Sequence, residues 1–305
     1  MAMITNQQPA APSGTVHHLA RPEGRVAYTV TGAGPLVVAV PGMGDLRSTW
    51  DDQVGALVSA GYRVAVTDLR GHGDSDTTFR THGDAATASD VVALLEELLG
   101  ASPEPGARAV LLGNSMGGSA AIIAAAERPD LVRSLALVSP FGREHAEGAK
   151  RTVMHGVLRV LLARPWGAWA WAAYYTNLNK GHHAERLPAH AAAIRASMHG
   201  PGHLRSFRDL ALQLDHHEVD PAIAALTASP VPTVTLVGAL DPDFPDAAAE
   251  AAWLGSALGG TVVVVPDAGH YAQHQAPDTV TGAVLDLVRS LDAPATDAEE
   301  GDARA

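Results

Sequence analysis

The sequence of 305 residues contains no cysteine. This absence excludes disulfide bonds, thiolate metal sites, iron–sulfur clusters and a cysteine nucleophile. Basic residues are also scarce, because 21 lysines and arginines stand against 33 aspartates and glutamates, a net charge of −12. A chain with this excess of acid is not expected to present a broad surface to phosphate groups, so nucleic acid is not an expected partner.

Long apolar runs are missing as well. The most apolar window, residues 157–176, contains Arg159, Arg164 and Pro165, each of which is costly in a lipid bilayer. The first residues, MAMITNQQPAAPSG, have no basic segment followed by an apolar one of the length that export requires. We therefore expect no membrane-spanning segment, no membrane partner and no secretory signal, and the cytoplasm as the location.

Short runs of β-branched residues alternate with longer segments in which apolar residues recur at helical spacing. The runs interpreted as strands are Arg25–Thr31, Leu36–Val40, Tyr62–Thr67, Ala109–Leu112, Leu135–Val138, Val231–Val237 and Thr261–Val265. The segments interpreted as helices are Ser48–Ala60, Ala85–Leu99, Ser115–Glu127, Ala247–Leu258 and Pro277–Leu291. Apolar strands separated by helices are typical of a parallel sheet covered on both faces. The sequence therefore predicts a doubly wound α/β fold.

Residues 141–226 interrupt this alternation with helix-like segments separated by proline and glycine. The stretch holds seven of the fourteen aromatic residues and nine of the fifteen histidines. Long insertions between sheet strands are usually functional, so we interpret this one as a helical cap. The remaining divisions are an N-terminal segment with a candidate edge strand (1–24), the core (25–140 and 227–291) and an acidic tail (292–305).

The five residues Gly113–Gly117, with Ser115 at their centre, match the pattern G-x-S-x-G. They follow a predicted strand and precede a predicted helix, which is the context that this motif requires. In such a turn the serine hydroxyl is exposed at the tip of the strand. The amide of Met116, at the start of the helix, then faces the position where an oxyanion develops. Ser115 is therefore the candidate nucleophile.

A serine hydroxyl needs a base to take its proton and an acid to orient that base. Both are expected at the carboxyl ends of later strands. Asp241 follows the strand Val231–Val237, and His270 follows the strand Thr261–Val265. They are the first candidates for acid and base. Three alternatives lie further from the strand ends: Asp243 and Asp246 for the acid, and His274 for the base.

A second oxyanion donor is expected in the loop after Leu36–Val40. Gly42 permits a tight turn that directs the amide of Met43 into the site. Asp45, in the same loop, is interpreted as a negative charge at the start of the next helix.

These motifs together resemble the α/β-hydrolase superfamily, in particular its lidded branch of esterases and related enzymes. The matching stretches are PGMGDLRSTW, DLRGHGDSD, GNSMGG, GALDPDFP and GHYAQHQAPD. The resemblance implies a mostly parallel sheet of about eight strands with a helical cap inserted after strand 6. It also implies that Ser115, Asp241 and His270 form the triad, that Met43 and Met116 supply the oxyanion donors, and that His72 is structural.

Three departures from the family pattern distinguish its branches. Pro41 occupies a position where many members have histidine, so no role is expected for that side chain. Epoxide hydrolases and haloalkane dehalogenases of this superfamily have aspartate at the position of Ser115, which argues against both activities. Carbon–carbon bond hydrolases resemble each other in a triple-glycine oxyanion loop and a tryptophan after the base, where this chain has PGMG and Tyr271.

No cofactor and no metal are expected. The sequence lacks HExxH and GxxxxGK[ST], and no GxGxxG follows its first strand. The histidines 182–183, 199, 203 and 216–217 are interpreted as scattered polar positions on the cap.

The sequence therefore predicts a cofactor-independent serine hydrolase that cleaves a carboxylic ester or thioester of a small apolar substrate through an acyl-enzyme. Trp166, Trp169, Tyr174 and Tyr271 are expected to contact the substrate. Two alternatives remain open: a carbon–carbon bond hydrolase or perhydrolase (haloperoxidase) that uses the same triad, and a ligand-binding homologue without turnover.

Overall fold

The computed structural model describes residues 14–100, 107–145 and 147–292. Its eight strands, β1 to β8 in chain order, are Val16–Arg21, Gly24–Thr31, Leu36–Val40, Arg63–Thr67, Ala109–Asn114, Val132–Val138, Thr233–Gly238 and Thr261–Val265. They form one sheet in the order β1-β2-β4-β3-β5-β6-β7-β8. Only β2 runs antiparallel to its neighbours. The prediction of a doubly wound, mostly parallel sheet is confirmed.

Helices cover both faces of this sheet. Those of the core are α1 (Asp51–Ser59), α2 (Asp84–Leu99), α3 (Met116–Glu127), α9 (Ala247–Leu258), α10 (Ala272–Gln275) and α11 (Pro277–Asp292). A 3-10 helix, Arg47–Trp50, precedes α1, where the sequence predicted one continuous helix from Ser48. None of the helices in the described ranges is long and apolar enough to cross a membrane.

The central strand β3 explains why two layers of helices form. Its five residues are all buried, and successive side chains point to opposite faces. Val38 and Val40 join the hydrophobic core under α2 and α3, whereas Val37 and Ala39 join the core under α1 and α11. Each fully buried valine contributes about 1.5–3 kcal/mol to stability, so a polar residue at any of these positions would be expected to disrupt one layer.

The chain between β6 and β7 contains helices and loops but no strand in its described part. It contains α4 (Gly148–Leu161), α5 (Gly167–Leu178), α6 (Leu187–Met198), α7 (His203–Gln213), a 3-10 helix (His216–Val219) and α8 (Asp220–Ala228). A separate hydrophobic cluster joins α5, α6 and α7. We refer to α4–α7 as the inserted helices. Of the predicted acidic tail, 292–305, all but Asp292 lies outside the described residues, as do residues 1–13 of the predicted N-terminal segment.

The strand order reverses at β3, because the chain continues from β3 to β4 on one side and later adds β5 on the other. Ligands of open α/β sheets bind in the crevice beyond the carboxyl ends of the strands at such a switch point. In this chain the two segments that flank the crevice are the loop after β3, which begins at Pro41, and the turn after β5, which contains Ser115.

Candidate active site

Ser115 occupies a strained turn between β5 and α3. Its φ and ψ are 54° and −126°, a conformation that costs a non-glycine residue energy and that clusters at functional sites. The backbone amide of Ser115 donates to the carbonyl of Val138 at the end of β6 (2.9 Å), which fixes the turn against the neighbouring strand. This is the geometry that the G-x-S-x-G pattern predicts.

The glycines of the turn allow three backbones to approach each other. A Cβ atom on Gly113 would lie 2.5 Å from the carbonyl oxygen of Gly117, and one on Gly117 would lie 2.5 Å from the carbonyl oxygens of Val40 and Pro41. A Cβ atom on Gly42 would lie 3.0 Å from the Cβ atom of Ser115. The loop after β3 therefore lies directly against the turn.

The backbone amides of Met43 and Met116 are free to act as oxyanion donors. Neither donates a hydrogen bond to any acceptor within the described ranges. Met116 is the first residue of α3, where the helix leaves amide groups unpaired and the helix dipole is positive. Both positions were predicted from the sequence, and the contact between Gly42 and Ser115 places their segments side by side.

His270 and Asp241 form a buried pair. Their atoms Nδ1 and Oδ2 are 2.8 Å apart, and both side chains are almost inaccessible to solvent. Asp241 follows β7 and His270 follows β8, as predicted. The alternative acid Asp243 is also close, with Oδ2 3.7 Å from the same nitrogen, and its amide donates to Asp241 (3.0 Å). Asp246 is not at the site, because its side chain caps α9 by accepting from the amide of Ala249 (2.9 Å).

Two carboxylates around one imidazole stabilise its protonated form. Burial lowers the pKa of His270, but the negative charges of Asp241 and Asp243 outweigh this effect and raise the pKa to about 9. The Ser115 hydroxyl makes no hydrogen bond to His270 within the described residues. Such bonds are often long in enzymes without substrate and shorten in the reacting complex.

The alternative base His274 belongs to a second buried polar cluster, formed with Asp45, His190 and Tyr175. His190 Nε2 is 2.6 Å from Asp45 Oδ1, and the Tyr175 hydroxyl donates to Asp45 Oδ2 (3.2 Å). His274 Nε2 is 2.8 Å from the hydroxyl of Thr49, and burial lowers the pKa of His274 well below its ordinary value. Asp45, interpreted as a negative charge at the start of the next helix, lies two residues before the 3-10 helix Arg47–Trp50 and is fully buried in this cluster.

Two groups in the described residues bring together the donors that bind metal ions: Asp45, His190 and His274, and Asp241, Asp243 and His270. In each group a carboxylate oxygen and an imidazole nitrogen already share a short hydrogen bond. Each carboxylate is also bonded to a backbone amide, of Leu46 for Asp45 and of Asp243 for Asp241. Hydrogen bonding thus accounts for both groups.

The aromatic residues predicted to contact substrate occupy different environments. Tyr271 is buried, and its ring meets the ring of His270 edge-on at 5.1 Å. Tyr174 donates its hydroxyl to Asp243 (2.7 Å). Trp166 and Trp169 are exposed instead, on the outer side of the inserted helices.

Three aromatic residues that were not among the named substrate contacts lie beside the site. Trp171 of α5 donates its indole N–H to the carbonyl of Gly44 in the loop after β3 (2.9 Å). The rings of Phe141 and Phe244 lie 6.0 and 6.4 Å from the ring of His270. Their position just beyond the carboxyl ends of β6 and β7 is the signal that could have identified both phenylalanines.

Access to Ser115 is narrow, since only 8% of the residue is exposed. Two cavities of the described chain lie away from Ser115. One, of about 430 Å³, lies beside Ser48 and Asp74, and the other, of about 480 Å³, lies between α5 and α6 beside Trp169. Neither is lined by Ser115. The inserted helices contact the loops around the triad candidates, for example through the bonds of Trp171 to Gly44 and of Tyr174 to Asp243.

Comparison with known proteins supports this description of the fold. The model of the alpha/beta hydrolase family matches residues 37–283. A thermophilic esterase from Thermogutta terrifontis superposes with a TM-score of 0.74 at 24% identity, covering 92% of this chain and 100% of its own. The enol-lactonase from Burkholderia xenovorans superposes with a TM-score of 0.71 at 25% identity, covering 90% of this chain and 100% of its own.

Curated relatives match over a shorter segment. A putative carbamate hydrolase of Variovorax paradoxus is 34% identical over 118 residues, which is 38% of this chain and 42% of that relative. The chain thus spans less than half the length of this curated relative.

Proposed function

Because the chain belongs to the alpha/beta hydrolase family, we propose that it is a cofactor-independent serine hydrolase acting on a carboxylic ester or thioester of a small apolar molecule. The observation that carries this proposal is the combination of a serine in a strained strand–helix turn with a buried imidazole–carboxylate pair (2.8 Å) at the neighbouring strand ends. The arrangement has the residue types and the chain order, serine then acid then histidine, that acyl transfer uses in this fold.

In the proposed reaction Ser115 Oγ attacks the carbonyl carbon and transfers its proton to His270. Asp241 holds the imidazole through Nδ1 and stabilises the cation that forms. The amides of Met43 and Met116 bind the oxyanion of the tetrahedral intermediate. His270 then protonates the departing alcohol or thiol, which leaves the acyl group on Ser115. A water molecule, deprotonated by His270, attacks this acyl group and regenerates the serine.

The proposed substrate class follows from the surroundings of the site. Phe141, Phe244, Trp171 and Tyr271 surround the triad candidates with apolar surface, and no arginine or lysine is bonded to any triad candidate in the described residues. A small apolar acyl or alcohol group suits such a lining better than a charged one. The esterase and the enol-lactonase among the similar structures act, by their names, on esters and on a cyclic ester, which is consistent with this class.

In the proposed enzyme the inserted helices act as a cap. Their residues Trp171 and Tyr174 contact the oxyanion loop and Asp243, so opening of the cap would both admit substrate and release these contacts. Closure would exclude water from the acyl-enzyme until the alcohol has left.

Labelling with a fluorophosphonate probe, which reacts with activated serines, tests the nucleophile. The native protein should be labelled, Ser115→Ala should not, and Ser256→Ala, which changes an exposed serine on α9, should be labelled like the native protein. The same three proteins should be assayed on p-nitrophenyl esters, a thioester and an enol-lactone. We expect Ser115→Ala to lose about 10⁶-fold in kcat. Equal labelling of Ser115→Ala would overturn the assignment, and labelling without turnover of any of these substrates would support the ligand-binding alternative.

A further inference from the structure

Helix α4 presents its apolar face to solvent instead of to the protein. The side chains of Arg151, His155 and Leu158, spaced by four and three residues, are partly buried against the rest of the inserted helices. Val153, Val157 and Val160, spaced in the same way on the opposite side, are 66%, 57% and 65% exposed. A surface helix normally has the reverse arrangement, with apolar residues inward and polar residues outward. The outward valines of α4 therefore lack the burial that would stabilise them.

The exposed apolar surface continues beyond the end of α4. Leu161 is exposed, as are Trp166 and Trp169, which are 51% and 64% accessible. The indole N–H of Trp166 donates to the carbonyl of Val160 (2.9 Å), which holds the first tryptophan against the helix end. We call Val153, Val157, Val160, Leu161, Trp166 and Trp169 the α4 patch. A group of large apolar side chains exposed on neighbouring helices often marks an interaction site.

The charge along the stretch of sequence that carries the α4 patch has one sign. No residue from 148 to 184 is acidic, although the whole chain carries 33 acidic residues. The basic residues in this stretch are Lys150, Arg151, Arg159, Arg164 and Lys180. Arg151 pairs with Asp215 on the inner side, whereas Arg159 and Arg164 are exposed and form no ion pair within the described residues. The patch is thus an apolar strip with unpaired positive charges beside it in an otherwise acidic protein.

We propose that the α4 patch binds an anionic lipid surface, with the helix lying in the plane of the headgroups. An α-helix of 14 residues is too short to span a bilayer. An apolar strip with tryptophan and flanking arginine is the composition of helices that lie in the interface, where apolar side chains enter the acyl boundary and cations meet lipid phosphates. This proposal replaces the expectation from the sequence that no membrane is a partner.

Charge also distinguishes the lipid surface from a second copy of the chain. A twofold contact through the α4 patch would pair this patch with the same patch of the other copy. Arg159 and Arg164 would then face a stretch, 148–184, that contains basic but no acidic residues. Like charges in such a contact are destabilising. An anionic surface instead offers a partner to both arginines, which is why we favour it.

Co-sedimentation of the full chain with large unilamellar vesicles tests the proposal. Vesicles of phosphatidylcholine with an equal amount of phosphatidylglycerol should carry the protein into the pellet, and vesicles of phosphatidylcholine alone should carry much less. The double variant Val157→Asp/Val160→Asp should lose about tenfold or more in partitioning, because charged residues replace buried apolar contacts. Arg159→Glu/Arg164→Glu should lose a similar amount on anionic vesicles, since each basic residue near such a surface adds measurably to binding.

A matched control is Val264→Asp, which places the same charge at an exposed valine of β8, away from the inserted helices. It should sediment like the native protein, and all variants should keep the native circular dichroism spectrum. Failure of the native protein to sediment with anionic vesicles would overturn the proposal, as would equal binding of the Val157→Asp/Val160→Asp variant. If light scattering shows instead that this variant converts a dimer into a monomer, the patch is a self-association surface and the proposal is wrong.

Discussion

The side-chain amide of Asn114 donates a hydrogen bond to the backbone carbonyl of His270 (3.1 Å) and a second to the carbonyl of Val138 (3.0 Å). Asn114 is the residue before Ser115, so one amide group ties the proposed nucleophile's turn to the loop that carries the proposed base. The bonds cross from β5 to β6 and to the segment after β8. Both acceptors are buried, and no water can replace the amide without a cavity.

Replacement of Asn114 by alanine should therefore affect stability and catalysis together. The buried carbonyl of His270 would lose its donor, at a cost of about 1–3 kcal/mol, whereas the carbonyl of Val138 would keep its bond from the amide of Ser115. The loop of His270 would also be free to shift from Ser115, and a misplacement of about 1 Å can reduce kcat about 100-fold. Urea denaturation and ester hydrolysis measure the two effects.

Asn177→Ala is the matched control, because Asn177 is exposed on α5 and, among the described residues, its side chain bonds to Lys180 alone. Its effect on stability should stay within about 0.5 kcal/mol. If Asn114→Ala unfolds at the same urea concentration as Asn177→Ala, the bridge to His270 has no structural role.

The positions of the site residues along the chain were easier to predict from the sequence than the contacts of their side chains. The positions of Ser115, Asp241 and His270 were predictable because each directly follows a strand, and the strands were recognisable by their apolar β-branched runs. The structure places Asp241 and His270 together and puts the turn of Ser115 beside them through Asn114. Whether these residues are catalytic stays a prediction.

Contacts between distant parts of the chain could not be predicted from the sequence. Nothing in the residues around Asp45 indicates that the imidazole of His190, 145 positions later, bonds to its carboxylate. Two tryptophans of α5 lie two residues apart: Trp171, which bonds to Gly44, and Trp169, which is exposed. Only the packing of that helix decides which of them faces inward. The aromatic cluster was therefore recognisable, but the orientation of its members was not.

The pKa of His270 leads to a prediction about pH. It is raised from its ordinary value of 6.5 to about 9, so at neutral pH most of the rings are protonated and only the small deprotonated fraction can act as a base. We expect kcat/KM to rise with pH until about pH 9, because this parameter reports the ionisation of the free enzyme. The attraction between the protonated His270 ring and the carboxylates of Asp241 and Asp243 should add to the free energy of unfolding in full below about pH 6.5. This contribution should be lost as the pH rises through about 9.

Asp243→Asn tests how much Asp243 contributes to the raised pKa of His270, independently of Asp241. Asparagine keeps an acceptor for Tyr174 but removes one negative charge near His270. The rise in kcat/KM should move to lower pH by about one pH unit. Asp246→Asn, which alters the cap of α9, should leave the profile unchanged. Coincident profiles for the native protein and Asp243→Asn would show that Asp243 does not influence the base.

Gly117→Ala tests whether the oxyanion donors depend on the close approach of α3 to the loop after β3. The new methyl group would lie 2.5 Å from the carbonyl oxygens of Val40 and Pro41, so the backbone must move. Displacement of the Met43 amide should reduce kcat about 100-fold, and overpacking should cost about 1–3 kcal/mol of stability.

Gly282→Ala is the control for Gly117→Ala, because Gly282 also lies in a helix but a Cβ atom there meets nothing within 4 Å. This change should stabilise the protein by about 0.5–1 kcal/mol, the usual advantage of alanine over glycine in a helix, and leave kcat unchanged. Similar kinetics for the two alanine variants would contradict the assignment of the Met43 amide to the oxyanion site.

The pair of His190 and Asp45 leads to the last prediction. Burial raises the pKa of Asp45, but His190 outweighs this effect, and the pKa is lowered below its ordinary value. In His190→Gln the buried carboxylate would lose the imidazole that is bonded to its Oδ1, and removing one partner of a buried charged group costs about 3–5 kcal/mol. Thermal unfolding should show this loss.

His217→Gln is the control for His190→Gln. It breaks an exposed pair with Asp220 and should change stability by less than about 1 kcal/mol. Asp45 follows Met43 by two residues, so His190→Gln should also lower kcat. A variant that is destabilised but keeps the native kcat would mean that the pair supports the fold without positioning the oxyanion loop.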